Sequence, residues 1–290
     1  MKIALITTMP PSNENRRIRE EAIALGHKFT HYSFSDMEIK IENGKVDVDK
    51  LSDFDADIVI VRGILSSIKV ISAIVKSLRE KNIKVFDNNF LEHEYSINKV
   101  TDLIKLSLKD IAVPKTFHTR SFSRYIKIAE ELGYPMIVKS TRTGKGVAVY
   151  KADSKTELES MIEGFKEQGK QAKNYILQEY IPYVFDIRAL IVGSKVYAMR
   201  RIPGEGEFRA NFSLGGAVEL FDLDKNGHDL ALKALSAINM SVGGVDILIT
   251  KDGKRYILEV NHNAGFTGME KATGENIGRV FLEHAIAQAR

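Results

Sequence analysis

The first ninety residues alternate short apolar runs with amphipathic segments. Four apolar runs have the length of strands, at residues 2–7, 27–32, 57–61 and 84–86. Two segments between them repeat apolar residues at helical spacing, at 12–25 and 67–81. This order predicts a small doubly wound α/β domain whose ligands lie at the carboxyl ends of the strands. Arg62 follows the third strand at such an end, although a surface arginine is the commoner explanation of one such residue.

From residue 96 onward, helices are separated by strands that read as antiparallel. The helices are predicted at 96–108, 123–132 and 227–239 and from 275 onward. The strands are predicted at 136–139, 147–150, 176–180, 186–192 and 195–201, with a tight Gly193-Ser194 turn between the last two. We therefore expect an α/β protein with α+β lobes, divided into residues 1–95, 96–175 and 176–290.

The composition narrows the class of protein. A net charge of +4 over 290 residues is small, which argues against a nucleic-acid-binding module. The sequence has no run of eighteen apolar residues, so we expect no membrane span, and residues 1–7 read as a strand rather than a signal peptide. Cysteine is absent, which excludes disulfides and fits a cytoplasmic protein.

Two carboxylates are predicted to face each other across a β-hairpin. Asp252-Gly253 between two apolar runs is a strong hairpin signal, and a two-residue turn there pairs residue 251 with residue 254. Counting outward places Asp246 opposite Glu259, with Asn261 on the same face. Hard cations such as Mg²⁺ favour this set of oxygens. A solvated acidic face explains the hairpin alone about equally well.

Two loops elsewhere favour the metal site. Residues 140–146 combine hydroxyl groups and cations with Gly144 and Gly146, and backbone N–H groups of such glycine loops cradle phosphates. An exposed turn explains this loop nearly as well. The loop 204–216 carries Arg209 and Asn211. Together with the hairpin, these loops provide the donors, metal ligands and cation that phosphoryl transfer requires.

Four stretches of the chain carry a resemblance to a known family. They are Gln178-Glu179-Tyr180-Ile181 with Asp186-Ile187-Arg188, then Glu205-Gly206-Glu207-Phe208-Arg209-Ala210-Asn211 with Gly215-Gly216, then Gly244-Val245-Asp246-Ile247-Leu248, and Glu259-Val260-Asn261 with Gly265, Gly268, Glu270-Lys271 and Thr273-Gly274. The sequence resembles the ATP-grasp ligases of the RimK-like group, whose best-known members add glutamate to a carboxylate. The resemblance implies an ATP-grasp fold preceded by an N-terminal doubly wound pre-ATP-grasp domain.

The resemblance also implies a role for each matching residue. The residues implied to bind ATP are Lys99, Lys139, Gly144, Gly146, Glu179, Tyr180, Asp186, Arg209 and Asn211. Asp246, Glu259 and Asn261 are implied to hold two Mg²⁺ ions, with Mn²⁺ as a substitute. The residues implied to act in catalysis are Arg209 at the γ-phosphate, and Arg188 and Arg200 at the substrate carboxylate or acyl phosphate.

The reaction implied by the resemblance is amide formation. ATP phosphorylates a carboxylate, and an amine then attacks the acyl phosphate. The amine donor is expected to be an amino acid such as glutamate, and the acceptor a peptide, a protein C-terminus or an amino-acid derivative. Relatives are often dimers or tetramers. A kinase on the same scaffold and a nucleotide-binding scaffold without chemistry remain alternatives.

Two departures from the group's usual sequence put the choice of acceptor in doubt. Ala148 replaces a second glycine of the loop, and His262-Asn263-Ala264 stands where the group commonly has Ala-Ser-Pro. Of the seven histidines, His262 alone lies beside the predicted metal strand.

Overall fold

The computed structural model describes residues 1–8, 12–43, 45–48, 55–64, 66–89, 98–141, 148–204 and 217–290. The strands of these residues are β1 (Lys2–Thr7), β2 (Lys28–Ser33), β3 (Ile39–Glu42), β4 (Lys45–Val48), β5 (Ile58–Val61), β6 (Lys84–Phe86), β7 (Thr116–His118), β8 (Met136–Ser140), β9 (Val149–Ala152), β10 (Tyr175–Glu179), β11 (Phe185–Val192), β12 (Lys195–Ile202), β13 (Ala217–Leu220), β14 (Val242–Ile249) and β15 (Arg255–Asn261). The α-helices are α1 (Asn13–Ala24), α2 (Ile68–Glu80), α3 (Lys99–Ser107), α4 (Tyr125–Leu132), α5 (Lys155–Glu167), α6 (Lys225–Ala237), α7 (Thr267–Thr273) and α8 (Ile277–Gln288). None of these helices has the length and apolar character needed to cross a bilayer.

The N-terminal domain is the parallel sheet that the apolar runs predict. Its strand order is β2-β1-β5-β6. Helix α1 begins where the Ser12 hydroxyl accepts the N–H of Asn15 at 3.2 Å, and it ends before Gly26, whose φ of +75° is left-handed. The strand order reverses between β1 and β5, which is where sheets of this kind bind ligands.

The central lobe is an antiparallel sheet covered by two helices. Its order is β7-β10-β8-β9, and α4 and α5 bury Tyr125, Leu158 and Phe165 against it. Strand β10 hydrogen-bonds within this sheet, so the transition to the third lobe follows Glu179.

The C-terminal sheet has two chemically different faces. Its order is β13-β12-β11-β14-β15, and every pair is antiparallel. One face carries Ile187, Ile247 and Ile257 and packs against α6. Since side chains alternate along a strand, the residues that directly precede and follow each of these isoleucines in its strand point to the opposite face. That face carries the candidate site.

The N-terminal domain and the C-terminal sheet share one core. Leu5 and Ile60 pack with Leu190 of β11 and with Phe281 of α8. After α8, the backbone of Arg290 lies beside β6 and exchanges two hydrogen bonds with the backbone of Val85, at 3.0 and 3.2 Å. This packing places the carboxyl ends of β1 and β5 beside the C-terminal sheet.

Candidate active site

A cleft lies between the central sheet and the charged face of the C-terminal sheet. Its described lining contains both charged and apolar side chains. These are Lys99, Pro114, Ile137, Lys139, Val149, Gln178, Glu179, Tyr180, Ile181, Tyr183, Asp186, Arg201, Asp246, Leu248, Leu258 and Glu259. The structure thus gathers seven of the residues predicted for the site, from Lys99 to Glu259, in one cleft.

The carboxylate hairpin has the predicted opposition but not the predicted turn. Asp246 of β14 lies directly opposite Glu259 of β15. The two-residue turn is wrong, because Thr250 rather than Lys251 pairs with Lys254, through an N–H to carbonyl hydrogen bond of 3.0 Å. The turn therefore contains three residues, which by itself would shift the register by one.

A β-bulge in β15 restores the register. Ile247 lies opposite Ile257, whereas the preceding residue, Asp246, lies opposite Glu259, so Leu258 is an additional residue in β15. The sequence shows no signal for this bulge. Leu258 lines the cleft, and its carbonyl group accepts a hydrogen bond from Lys139 there.

Two lysines reach the carboxylate hairpin. Lys99, the first residue of α3, pairs with Glu259 at 2.9 Å between Nζ and Oε2. Lys139 of β8 donates to the Leu258 carbonyl at 3.2 Å. Burial lowers the pKa of Lys139 to about 8, although Glu259 nearby opposes the shift. Both cations therefore lie where a phosphate above the hairpin would contact them.

Asp246 is held by two arginines. Arg188 binds both of its oxygens, with Nε–Oδ1 at 2.6 Å and Nη2–Oδ2 at 2.5 Å, and Arg201 approaches Oδ2 at 3.0 Å. Burial favours a raised pKa for Asp246, but the two guanidinium groups outweigh it and hold the pKa below its usual range. Asp186 accepts Nε of Arg201 at 2.5 Å, yet burial still raises the pKa of Asp186 to about 6.

Arg200 and Arg201 lie on opposite faces of the sheet. Arg201 pairs across the ladder with Asp186 and faces the cleft, whereas Arg200 pairs with Ile187 on the α6 face. Arg200 binds Glu219 there, so the structure does not bring it to the other predicted residues. The sequence could have shown this. A turn at Gly193-Ser194 pairs residues 192 and 195, and counting outward pairs 186 with 201.

The other wall of the cleft is suited to a planar base. Tyr180 lies under the Nζ of Lys151, at 5.1 Å from the ring centroid. Glu179 accepts the backbone N–H of Lys115 at 2.6 Å and lines the cleft beside Tyr180. Apolar side chains such as Ile137 complete this end.

Four predicted site residues lie outside the described residues. They are Gly144, Gly146, Arg209 and Asn211. Their predicted contacts with ATP stay predictions.

The loop after β15 is held by contacts with α3 and with the N-terminal domain. The Asn261 amide oxygen accepts the N–H of Asn263 at 3.1 Å, and His262 Nε2 lies 2.8 Å from Asp102 of α3. On the other side, the Arg62 guanidinium donates to the Ala264 carbonyl at 2.9 Å.

Arg62 is not a surface residue, and the commoner explanation of it was wrong. It is 9% exposed, lies 5.8 Å from the Phe266 ring centroid, and donates to Asn15 at 3.1 Å. Burial lowers its pKa to about 10, although Glu14 opposes the shift. Arg62 therefore connects the N-terminal domain to the segment that follows Asn261.

The donor set fits a magnesium ion that shares its ligands with a phosphate. Asp246 and Glu259 offer hard oxygens on one face, and Asn261 lies two pairs further along the hairpin on the same face, opposite Gly244. No three His, Cys, Asp or Glu side chains converge on a metal position within the described ranges. Mg²⁺ is typically held by one or two carboxylates together with substrate phosphates, so this smaller set suffices.

The lobes and the cleft define an ATP-grasp protein, which confirms the predicted fold class. A family model described as the RimK-like ATP-grasp domain matches residues 96–285, more than half of the chain. The chain therefore belongs to the RimK-like ATP-grasp family. The predicted class of enzyme, an ATP-dependent ligase that forms C–N bonds, is confirmed with it.

Similar proteins span the full chain. A probable alpha-L-glutamate ligase of Marinomonas sp. is 30% identical over 98% of this chain and 95% of its own. One from Teredinibacter turnerae is 31% identical over 100% and 97%. The ATP-grasp ligase PsnB, solved with a minimal precursor, has a TM-score of 0.75 at 20% identity and covers 99% of this chain and 98% of its own. PsnB has also been solved with its precursor, Mg and ADP. Membership of the family and this complex of a protein with the same fold support the use of ATP and Mg²⁺ in general.

Proposed function

We propose that this protein joins the α-amino group of an amino acid, such as glutamate, to a carboxylate of a peptide or protein C-terminus. The observation that carries the proposal is the opposition of Asp246 and Glu259 on the cleft face, next to Lys139 of the central sheet and Lys99 of α3. The relatives named as probable glutamate ligases support the amino acid. The precursor peptide bound by PsnB supports a peptide acceptor.

The nucleotide is proposed to lie along the central sheet. Tyr180, with Glu179 beside it, would contact the adenine, and Asp186 the ribose. Lys139 and Lys99 would contact the phosphates at the hairpin. The burial of Lys139 strengthens its attraction to a phosphate, because a low local dielectric increases the interaction of opposite charges.

Asp246, Glu259 and Asn261 are proposed to hold two Mg²⁺ ions, with Mn²⁺ as a substitute. These ions would neutralise the terminal phosphates and thereby make the γ-phosphorus accessible to a nucleophile. Arg188 lies beside Asp246 and is our candidate for the substrate carboxylate or acyl phosphate. Arg201 replaces Arg200 in this proposal, because Arg201 is on the cleft face.

The reaction would proceed in two displacements. A carboxylate oxygen of the acceptor attacks the γ-phosphorus, and the bond to ADP breaks. The donor amine then attacks the acyl carbon, phosphate leaves, and the amine loses a proton. The protein supplies position and charge stabilisation in both steps, and none of its side chains needs to form a covalent bond.

A pooled screen tests the proposal. The protein is incubated with ATP, Mg²⁺, the twenty amino acids and a set of carboxylates and peptides, and ADP release and product masses are measured. We expect ADP release that needs both an amine and a carboxylate, with one amide formed for each ADP. A stable phosphorylated product without an amide would indicate a kinase instead. Light scattering of the same sample tests the expected dimer or tetramer.

A further inference from the structure

We propose that Arg188, Arg201 and Lys99 act as counter-ions of the metal-binding carboxylates, so that a divalent ion enters the site only together with the nucleotide. This inference rests on the proposed metal role of Asp246 and Glu259. It concerns the order of binding, which that role leaves open.

Asp246 has little capacity left for a free ion. Arg188 occupies both of its oxygens, and Arg201 adds a second contact to Oδ2. Asp246 is 5% exposed, so water screens these charges weakly. A carboxylate oxygen accepts about two hydrogen bonds in its plane, which leaves Oδ1 as the oxygen with a position to spare.

Glu259 and Asn261 are engaged in the same way. Lys99 Nζ lies 2.9 Å from Glu259 Oε2, and the amide oxygen of Asn261 accepts the N–H of Asn263 at 3.1 Å. Each proposed ligand thus already has a partner on an oxygen that a metal ion would use. These side chains are therefore held in place before a metal ion binds, and the negative charges of Asp246 and Glu259 are compensated by the cations beside them.

A free divalent ion would therefore meet cations rather than bare carboxylates. Because these side chains are buried or half-buried, the repulsion between each nearby cation and the ion is weakly screened, so each cation opposes the ion strongly. The phosphates of ATP supply the missing negative charge and give Lys99 and Arg188 an alternative partner. Metal and nucleotide should consequently bind with positive coupling.

Direct measurement of Mn²⁺ binding tests this inference without turnover. Free Mn²⁺ is quantified by electron paramagnetic resonance, with the wild-type protein, Arg188→Met and Arg255→Met, each with and without a non-hydrolysable ATP analogue. Arg255 is the matched control, because it binds Asp224 through two contacts of 2.7 Å at the far end of β15. Circular dichroism shows whether each variant is folded.

After correction for the Mn²⁺ that the same concentration of analogue binds without protein, we expect the analogue to increase the Mn²⁺ affinity of the wild type at least tenfold. Arg188→Met should increase the affinity without analogue at least tenfold and so reduce the coupling, whereas Arg255→Met should leave both unchanged. Nucleotide-free affinity that stays the same or falls in Arg188→Met overturns the inference. If that variant does not fold, Lys99→Met takes its place with the same expectation.

The proposed function is tested separately. A wild-type protein that forms the amide while Arg188→Met gains no Mn²⁺ affinity overturns the counter-ion role alone. If Asp246→Asn leaves Mn²⁺ binding unchanged in the presence of the analogue, Asp246 is not a metal ligand and both proposals lose that residue.

Discussion

The two faces of the C-terminal sheet are built from the same strands, but one is apolar and packs in the core whereas the other is charged and lines the cleft. Toward α6, Ile187, Ile247 and Ile257 are fully buried among apolar neighbours. Toward the cleft, Asp186, Arg188 and Asp246 carry charge, and Asp246 is nearly as buried as the isoleucines. Burial is therefore not what separates the faces. The difference is whether each buried group finds a partner: apolar contacts on one face, ion pairs on the other.

This difference makes the cleft face sensitive to the loss of a single partner. Removing one member of a buried ion pair leaves the other charge uncompensated, which costs more than the pair contributes. On the apolar face, a substitution costs the buried area and the cavity that it leaves. Arg200 and Arg201 are adjacent in the sequence but lie on opposite faces of the sheet. The same substitution at each position therefore tests the two faces separately.

The largest effect is expected at Glu259. Glu259→Gln keeps the shape of the side chain but removes a charge that we propose binds metal. Turnover should fall by about 10²–10³-fold or more, the range found when one group that stabilises the transition state is removed. ADP release with the substrates found in the screen measures this.

The fold should survive in Glu259→Gln, because this carboxylate is partly exposed and pairs with a single lysine. A circular dichroism spectrum like that of the wild type is the control. Turnover within a factor of three of the wild type would contradict the metal role.

Arg201→Met should show the next largest effect, on stability. Arg201 lies between Asp186 and Asp246, all three side chains are less than 10% exposed, and methionine leaves two buried carboxylates without it. We expect the free energy of unfolding to fall by about 3–5 kcal/mol at pH 7. Urea denaturation measures this. A loss below about 1 kcal/mol would show that Arg188 alone compensates Asp246.

The sequence predicts the cleft better than its surroundings, for a physical reason. Alternation along strands and the glycine-containing turns are local signals, and they place Asp246 opposite Glu259 and Asp186 opposite Arg201. The bulge at Leu258 depends on how β15 packs, so no local pattern announces it. It offset the wrong turn length, and the predicted opposition was correct for this reason.

Other features were missed because their partners are distant in sequence. Arg62 is buried by Phe266 and by the Ala264 carbonyl, which lie about two hundred residues further along. Helix α5 and the β3–β4 hairpin were not predicted. Strand β3 is exposed along its whole length, so it has no apolar face to reveal it.

Lys139 gives a smaller effect that depends on pH. Its pKa of about 8 means that it is partly deprotonated at pH 8.5, and the phosphates of bound ADP should raise that pKa again. Binding should then take up a fraction of a proton, and ADP affinity should fall, by at most about tenfold per unit, as pH rises above 8. Calorimetry at pH 8.5 in two buffers of different ionisation enthalpy measures the uptake.

Lys139→Met is the matched variant for this measurement. It should bind ADP more weakly and with no dependence of the binding enthalpy on the buffer. The same proton uptake in Lys139→Met as in the wild type would assign the proton to another group.

The smallest effect is expected from Arg200→Met, which completes the comparison of the two faces. The Arg200–Glu219 pair is 38% and 50% exposed, and pairs of this kind contribute about 0–1 kcal/mol because water and salt screen them. The free energy of unfolding should therefore change by less than about 1 kcal/mol, and turnover should stay within about twofold of the wild type. Urea denaturation and ADP release measure both. A loss of turnover as large as that of Glu259→Gln would mean that Arg200 reaches the substrate after all, and that position on the sheet does not decide the role of these two arginines.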